Sequence, residues 1–148
     1  MNRILKKDIL RILDANFNRS REGLRVCEEI ARFMLGSPSI TSELKSARHG
    51  ISFVMKGLPD GFGKLVESRD PEGDIGRASR YKSEMNRVGP CDIFCANMER
   101  VKESLRVLEE FLKLVDKKAS GRFSTLRFKV YGIEKKAVKR ILALRDTR

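Results

Sequence analysis

The sequence predicts an all-α protein, an antiparallel four-helix bundle built from two duplicated helical hairpins with a long glycine-rich loop between the halves. Three observations carry that prediction. First, DANFNRSREGLRVCEEIARF (Asp14–Phe33) returns without a gap as CANMERVKESLRVLEEFLKL (Cys95–Leu114). Ala15-Asn16 matches Ala96-Asn97, Arg19 matches Arg100, Glu22 matches Glu103, and Glu28-Glu29 matches Glu109-Glu110. Second, apolar residues recur at three- and four-residue steps in both copies, the spacing of one helix face. Third, Gly36-Ser37-Pro38 and Gly57-Leu58-Pro59 punctuate the first half where a hairpin turn and a helix end would fall.

In chain order, Asp8 is the expected N-cap of a helix from Ile9 to Leu35, stopped by Gly36. A second helix, about Ile40 to Lys56, buries Leu44, Ala47, Ile51, Val54 and Met55. After Gly89-Pro90 a third helix runs from near Asp92 to about Asp116 and buries Met98, Val101, Leu105, Leu108 and Leu112. A fourth starts around Ser120 and buries Phe123, Leu126, Val130, Ile133, Ala137, Ile141 and Leu144. The second and fourth helices also echo each other, so that Arg48 and Arg127 occupy matching flanks. The halves are expected at about 8–58 and 91–146 of a single helical domain spanning 1–148, with the unrepeated segment 59–90 as a loop. Phe62, Leu65, Val66, Ile75, Tyr81, Met85 and Val88 are its expected anchors.

The 148 residues, 41% hydrophobic and without Trp, suit one core packed through Leu, Ile and Val. No apolar run reaches membrane length and no signal-peptide core is present, so a cytoplasmic protein is expected. Cys27, Cys91 and Cys95 are odd in number and lack a zinc-type partner pattern, as expected of reduced thiols. The formal charge of +12 is concentrated at the C-terminal end, where residues 117–148 carry eleven Lys or Arg against Glu134 and Asp146. Such a helix suits nucleic acid, a solvated face, or a field that draws anionic ligands. No groove-reading motif or aromatic interleaving accompanies it, so nucleic acid is the minority reading.

The polar residues of the repeat carry the functional reading. Asn16 and Arg19, like Asn97 and Arg100, fall at the N-terminal end of the broad apolar face, with Gly23 or Ser104 one turn on. A buried Arg requires an anionic partner. The structural alternative is a pair of polar networks tying helix ends together. The preferred reading is a cationic pocket near the pseudo-symmetry axis for a phosphate or carboxylate, which a guanidinium fork fits. In the segment Ser68–Gly76, Asp70, Glu72 and Asp74 fail as a calcium loop, because Ile75 and Tyr81 stand where the turn glycine and bidentate Glu belong. One or two of these acids suffice for a hydrated Mg²⁺ beside a phosphate.

The segments RILDANFNRSREGLRVCEEIARF, RDPEGDIG with Ser83-Glu84 and Arg87 after it, and ANMERVKESLRVLEEF together resemble one family. It is the all-helical hydroxymethylpyrimidine-phosphate kinase domain found fused ahead of thiamine-phosphate synthase in many bacteria, distinct from the ribokinase-like type. The likeness covers roughly Arg11 to Glu134, though Pro71 stands where the family more often has Thr. The synthase region is missing, so the chain reads as a stand-alone version or a piece of a longer protein.

The resemblance implies ATP-dependent phosphorylation of hydroxymethylpyrimidine phosphate to the diphosphate, with ATP and Mg²⁺ as cofactors. It implies a phosphorylated pyrimidine as small-molecule partner and thiamine-phosphate synthase as a protein partner, with a homodimer left open. On that basis Arg19 and Arg100 clamp phosphate oxygens, while Asn16 and Asn97 orient the pyrimidine or a phosphate. Arg48 and Arg127 reinforce the charge, and Glu22 and Glu103 border the face. Asp70 and Asp74 carry Mg²⁺ or accept the hydroxyl proton, and Arg69, Gly73 and Gly76 close the loop over the nucleotide. No phosphate-loop or protein-kinase motif is present. A non-catalytic phosphate-binding or regulatory domain and a basic nucleic-acid or interaction module are the alternatives.

Overall fold

A computed structural model describes residues 2–59, 61–78 and 86–145. Among them the chain is all-α, with α1 (Arg3–Glu29), α2 (Pro38–Lys56), α3 (Gly61–Glu67), α4 (Pro90–Leu112) and α5 (Lys117–Arg145). A π-helical turn at Ile30–Met34 extends α1, and a 3-10 turn occupies Ile75–Ala78. The predicted helix starts shift by physical cause. α1 begins before Asp8, because the Asn2 side chain accepts the Ile4 N–H at 3.0 Å and caps it. α2 begins at Pro38, with Ser37 as N-cap and proline at the first helical position, where its missing N–H costs nothing. α5 begins at Lys117 because Asp116 Oδ1 accepts the N–H groups of Lys118 and Ala119.

At the α1–α2 connection, Gly36 takes φ 55°, a left-handed conformation that side chains disfavour, and Ser37 N–H reaches back to Ala31 O at 3.1 Å. The packing pairs run in opposite senses. Late in α1, Cys27 Sγ donates to Phe94 O at 3.6 Å, early in α4. A turn earlier, Gly23 sits so close to α4 that a Cβ there would meet Val101 Cγ2 at 2.7 Å and Asn97 O at 3.0 Å. Between α2 and α5, Ser46 accepts from Lys129 and Glu43 from Lys136. One continuous core unites the four long helices, with Leu13, Leu24, Leu44, Ile51, Leu105, Leu108 and Phe123 fully enclosed.

The segment 59–90, expected as loop, carries an additional helix. α3 packs on α1 and α2: Leu65 is buried and Phe62 meets Phe17 edge-on at 6.2 Å. Phe62 stays half exposed despite that contact, and the expected anchors Val66, Ile75 and Val88 are exposed. Tyr81 and Met85 lie outside the described residues, and Leu144, expected inside on α5, is exposed as well. Glycines at 61 and 63 obscured this short helix, whose hold comes from tertiary contact rather than propensity. Among the described residues no helix is long and apolar enough to cross a membrane.

Candidate functional site

Along α1, Arg11, Ala15, Asn18 and Glu22 recur at helical steps on a stripe beside the core-facing one. Together with the segment that follows α3 they enclose an open cavity of about 680 Å³. Asp8, Asp14, Asn16 and Arg19 complete the helix wall, and Arg69, Asp70, Pro71 and Asp74 form the opposite one. The two walls are joined by charge. Asp14 is only 4% exposed, and its carboxylate takes a two-pronged grip from Arg69, Nε to Oδ2 at 2.6 Å and Nη2 to Oδ1 at 2.9 Å. That hydrogen bonding raises the Arg69 guanidinium pKa above its ordinary value. Next to it, Asp70 Oδ2 lies 3.6 Å from Arg11 Nη2.

The acidic segment is folded on its own side chains. Asp70 Oδ1 accepts the Gly73 N–H at 3.0 Å, and Asp74 Oδ1 accepts the Gly76 N–H at 2.9 Å. A Cβ at position 73 would land on the Asp70 carboxylate and turn it aside. Thus Asp70 and Asp74 both line the cavity, while Gly73 and Gly76 shape the turn that presents them.

The structure sorts the repeated residues. Asn16 is buried and its amide donates to Ile12 O at 2.9 Å; Asn97 copies this onto Ile93 O at 2.8 Å. Arg19 and Arg100, expected on the buried side, are exposed, because a long stem at the edge of a helix interface carries its charge out to water. Arg19 and Glu22 line the cavity, whereas Asn97 and Arg100 do not, and Glu103 borders a separate shallow depression with Arg127. The pocket is therefore one-sided and not cationic. Its wall sets Arg11, Arg19 and Arg69 against five carboxylates. Neither Arg19 nor Arg100 has an ion-pair partner among the described residues.

Arg48 and Arg127, expected to reinforce the phosphate site, are committed elsewhere. Arg48 Nε donates to Glu28 Oε2 and Arg127 Nε to Glu109 Oε2, each at 3.0 Å. Arg25 and Arg106 close the other side of the same carboxylates at 3.2 and 3.0 Å, and reach Glu29 and Glu110 as well. The bond to Glu109 raises the Arg127 pKa. Here the structural alternative holds: these duplicated networks tie α1 to α2 and α4 to α5. Arg69, expected to close over a nucleotide, instead spends two of its nitrogens on Asp14.

Asp14, Arg11 and Asp8 escaped the sequence reading, as did the buried Glu28 and Glu109. A signal for Asp14 was present: it is a position where the repeats disagree, with Cys95 as its counterpart. Burial raises the Cys27 thiol pKa and pushes Cys95 up to about 11, so both stay protonated at neutral pH. All three cysteines are free thiols. Among the described residues no group of three or more His, Cys, Asp or Glu side chains is arranged to hold a metal ion. On the basic α5, Arg127 and Lys136 are paired with Glu109 and Glu43.

The fold and site define a class: an internally duplicated helical protein with an open, carboxylate-rich cavity of ligand size under its inter-half segment. Residues 11–136 match the family described as the ThiD2 family, and the chain belongs to it. It is similar to thiamine-phosphate synthases from Rhodopirellula baltica (38% identical), Synechocystis (39%) and Gloeobacter violaceus (36%). These matches cover 84%, 85% and 87% of this chain but 33%, 35% and 36% of those proteins. The chain thus spans about a third of the length of the curated relatives it matches. No solved structure matches it.

Proposed function

We propose that the protein acts in thiamine biosynthesis, phosphorylating hydroxymethylpyrimidine phosphate to the diphosphate with ATP. Family membership and similarity to thiamine-phosphate synthases support the pathway. One observation carries the chemical reading: Asp70 and Asp74 face Asn16 and Arg19 across a cavity large enough for a phosphorylated ligand. Phosphoryl transfer asks a protein mainly for positioning and for charge placed around the moving group.

In this reading Arg19 holds a phosphate oxygen, its guanidinium having no anion to satisfy among the described residues. Asn16 keeps one amide hydrogen on Ile12 O, which leaves its carbonyl oxygen as an acceptor for the pyrimidine. Asp70 and Asp74 fit Mg²⁺, an ion commonly held by one or two carboxylates together with substrate phosphates. When bound, that ion would neutralise phosphate charge. The excess of carboxylates in the wall favours a nucleotide that arrives with its cation. Arg100, Asn97 and Glu103 complete the duplicated face outside the cavity, and a thiamine-phosphate synthase is the proposed protein partner.

The test is direct. The protein, incubated with ATP, Mg²⁺ and the pyrimidine monophosphate, is expected to form the diphosphate and ADP. Intact binding without product would leave the non-catalytic reading instead.

A further inference from the structure

We infer that the Asp14–Arg69 pair is a positioning latch, which with Arg11–Asp70 fixes the segment 69–76 in one register on α1 and so sets Asp70 and Asp74 over the cavity. This inference rests on the proposed site, but its geometry is independent of the reaction. Arg11 and Asp14 lie one turn apart on the same helix, and their partners Asp70 and Arg69 are adjacent in the segment. The order of signs is complementary: the cation of α1 meets the anion of the segment, and the anion meets the cation. Exchanging the two partners would oppose Arg69 to Arg11 and Asp70 to Asp14, so like charges would meet at both points. The inner pair is the stronger, because a buried carboxylate deprived of its guanidinium has no solvent to replace it.

A second observation shows that the latch belongs to the site and not to the duplicated scaffold. The scaffold's own charge networks, at Glu28 and Glu109, appear in both halves with nearly equal distances. Asp14 has no such twin, since its counterpart is Cys95. The carboxylate is present only in the half over which the acidic segment folds.

The full chain and its Asp14→Asn, Arg69→Gln and Arg69→Lys variants would be compared by amide hydrogen exchange, with circular dichroism to confirm that the helices persist. In D14N and R69Q, the Gly73 and Gly76 amides are expected to exchange about tenfold faster or more, while the middle of α1 stays protected. R69K, which keeps the charge, should recover part of that protection. In the kinase assay the Mg²⁺ concentration for half-maximal rate should rise about tenfold in D14N and in R69Q with the KM for the pyrimidine unchanged, and should rise less in R69K than in R69Q. Protection of Gly73 and Gly76 within twofold of wild type in both D14N and R69Q would overturn the latch. A loosened segment with an unchanged Mg²⁺ requirement would overturn its positioning role. Because exchange is read without turnover, a silent kinase assay and a failed latch are distinguishable.

Discussion

The two halves of this molecule are the same scaffold put to different use. In both, an asparagine in the first turn of the repeat bonds back to its own helix, and a buried glutamate is clasped by one arginine from its helix and one from the next. Near the chemistry they part. The first half has Asp14, Arg19 and Glu22 lining a cavity under the inter-half segment; the second has Cys95 in place of the aspartate and, among the described residues, no such cover. Repeated charges that find partners within their own half are scaffold. Those left exposed beside a unique segment are the candidates for function.

The largest test of this division strips the scaffold. Arg48→Ala and Arg127→Ala each leave a mostly buried carboxylate with only its more exposed arginine, Arg25 or Arg106, and each is expected to destabilise the protein by about 2–3 kcal/mol in chemical denaturation. Equal losses uphold the equivalence of the halves. A loss in one alone would break it.

Next comes the asymmetry of the arginines. Arg19→Ala should lower kcat/KM by about 100-fold, in line with loss of one or two charge-assisted hydrogen bonds, with stability unchanged. Arg100→Ala, outside the cavity, should cost clearly less. Equal activity losses would place both arginines at the reacting ligand and undo the one-sided site.

A packing exchange sharpens the picture further. Gly23→Ser writes the second half's residue into the first, where its Cβ meets Val101 and the Asn97 carbonyl. Overpacking against backbone should cost about 1–3 kcal/mol, seen as a lowered Tm. No loss would mean that α1 and α4 can separate without penalty.

The smallest effect concerns Cys95. A thiol whose pKa is raised on folding binds its proton more tightly in the folded state, so the associated stability is complete below the ordinary value. It is then lost as pH rises from 9.0 toward about 11. Tm should therefore decline across that interval. A Cys95→Ala variant should flatten the decline, and an unchanged profile would discount the thiol.

Much of this was legible in the chain itself. The repeat and its periodicity located the four long helices, because apolar spacing reports directly on which face is buried. Asp70 and Asp74 were legible as acids in a glycine-rich segment, and Asn16 as an inward polar residue. What escaped was pairing. Nothing local distinguishes Arg48, which reaches Glu28, from Arg19, which reaches no anion among the described residues; the difference arises only when α2 lies on α1. Asp14 looked like part of the repeat's border until Arg69 arrived from 55 positions away. The helix ends moved for a simpler reason, since Asn2, Ser37 and Asp116 cap more effectively than the periodic pattern alone suggested.

The latch has a consequence for ionic strength. The Arg11–Asp70 contact is open to solvent on both partners, whereas Arg69 approaches an Asp14 that solvent barely reaches. Dissolved ions screen exposed charges over a few ångströms at molar concentration and buried ones much less. Concentrated salt should therefore loosen the outer contact first and let the acidic turn pivot on the inner one. The cover of this cavity would then open by degrees as the medium becomes more saline.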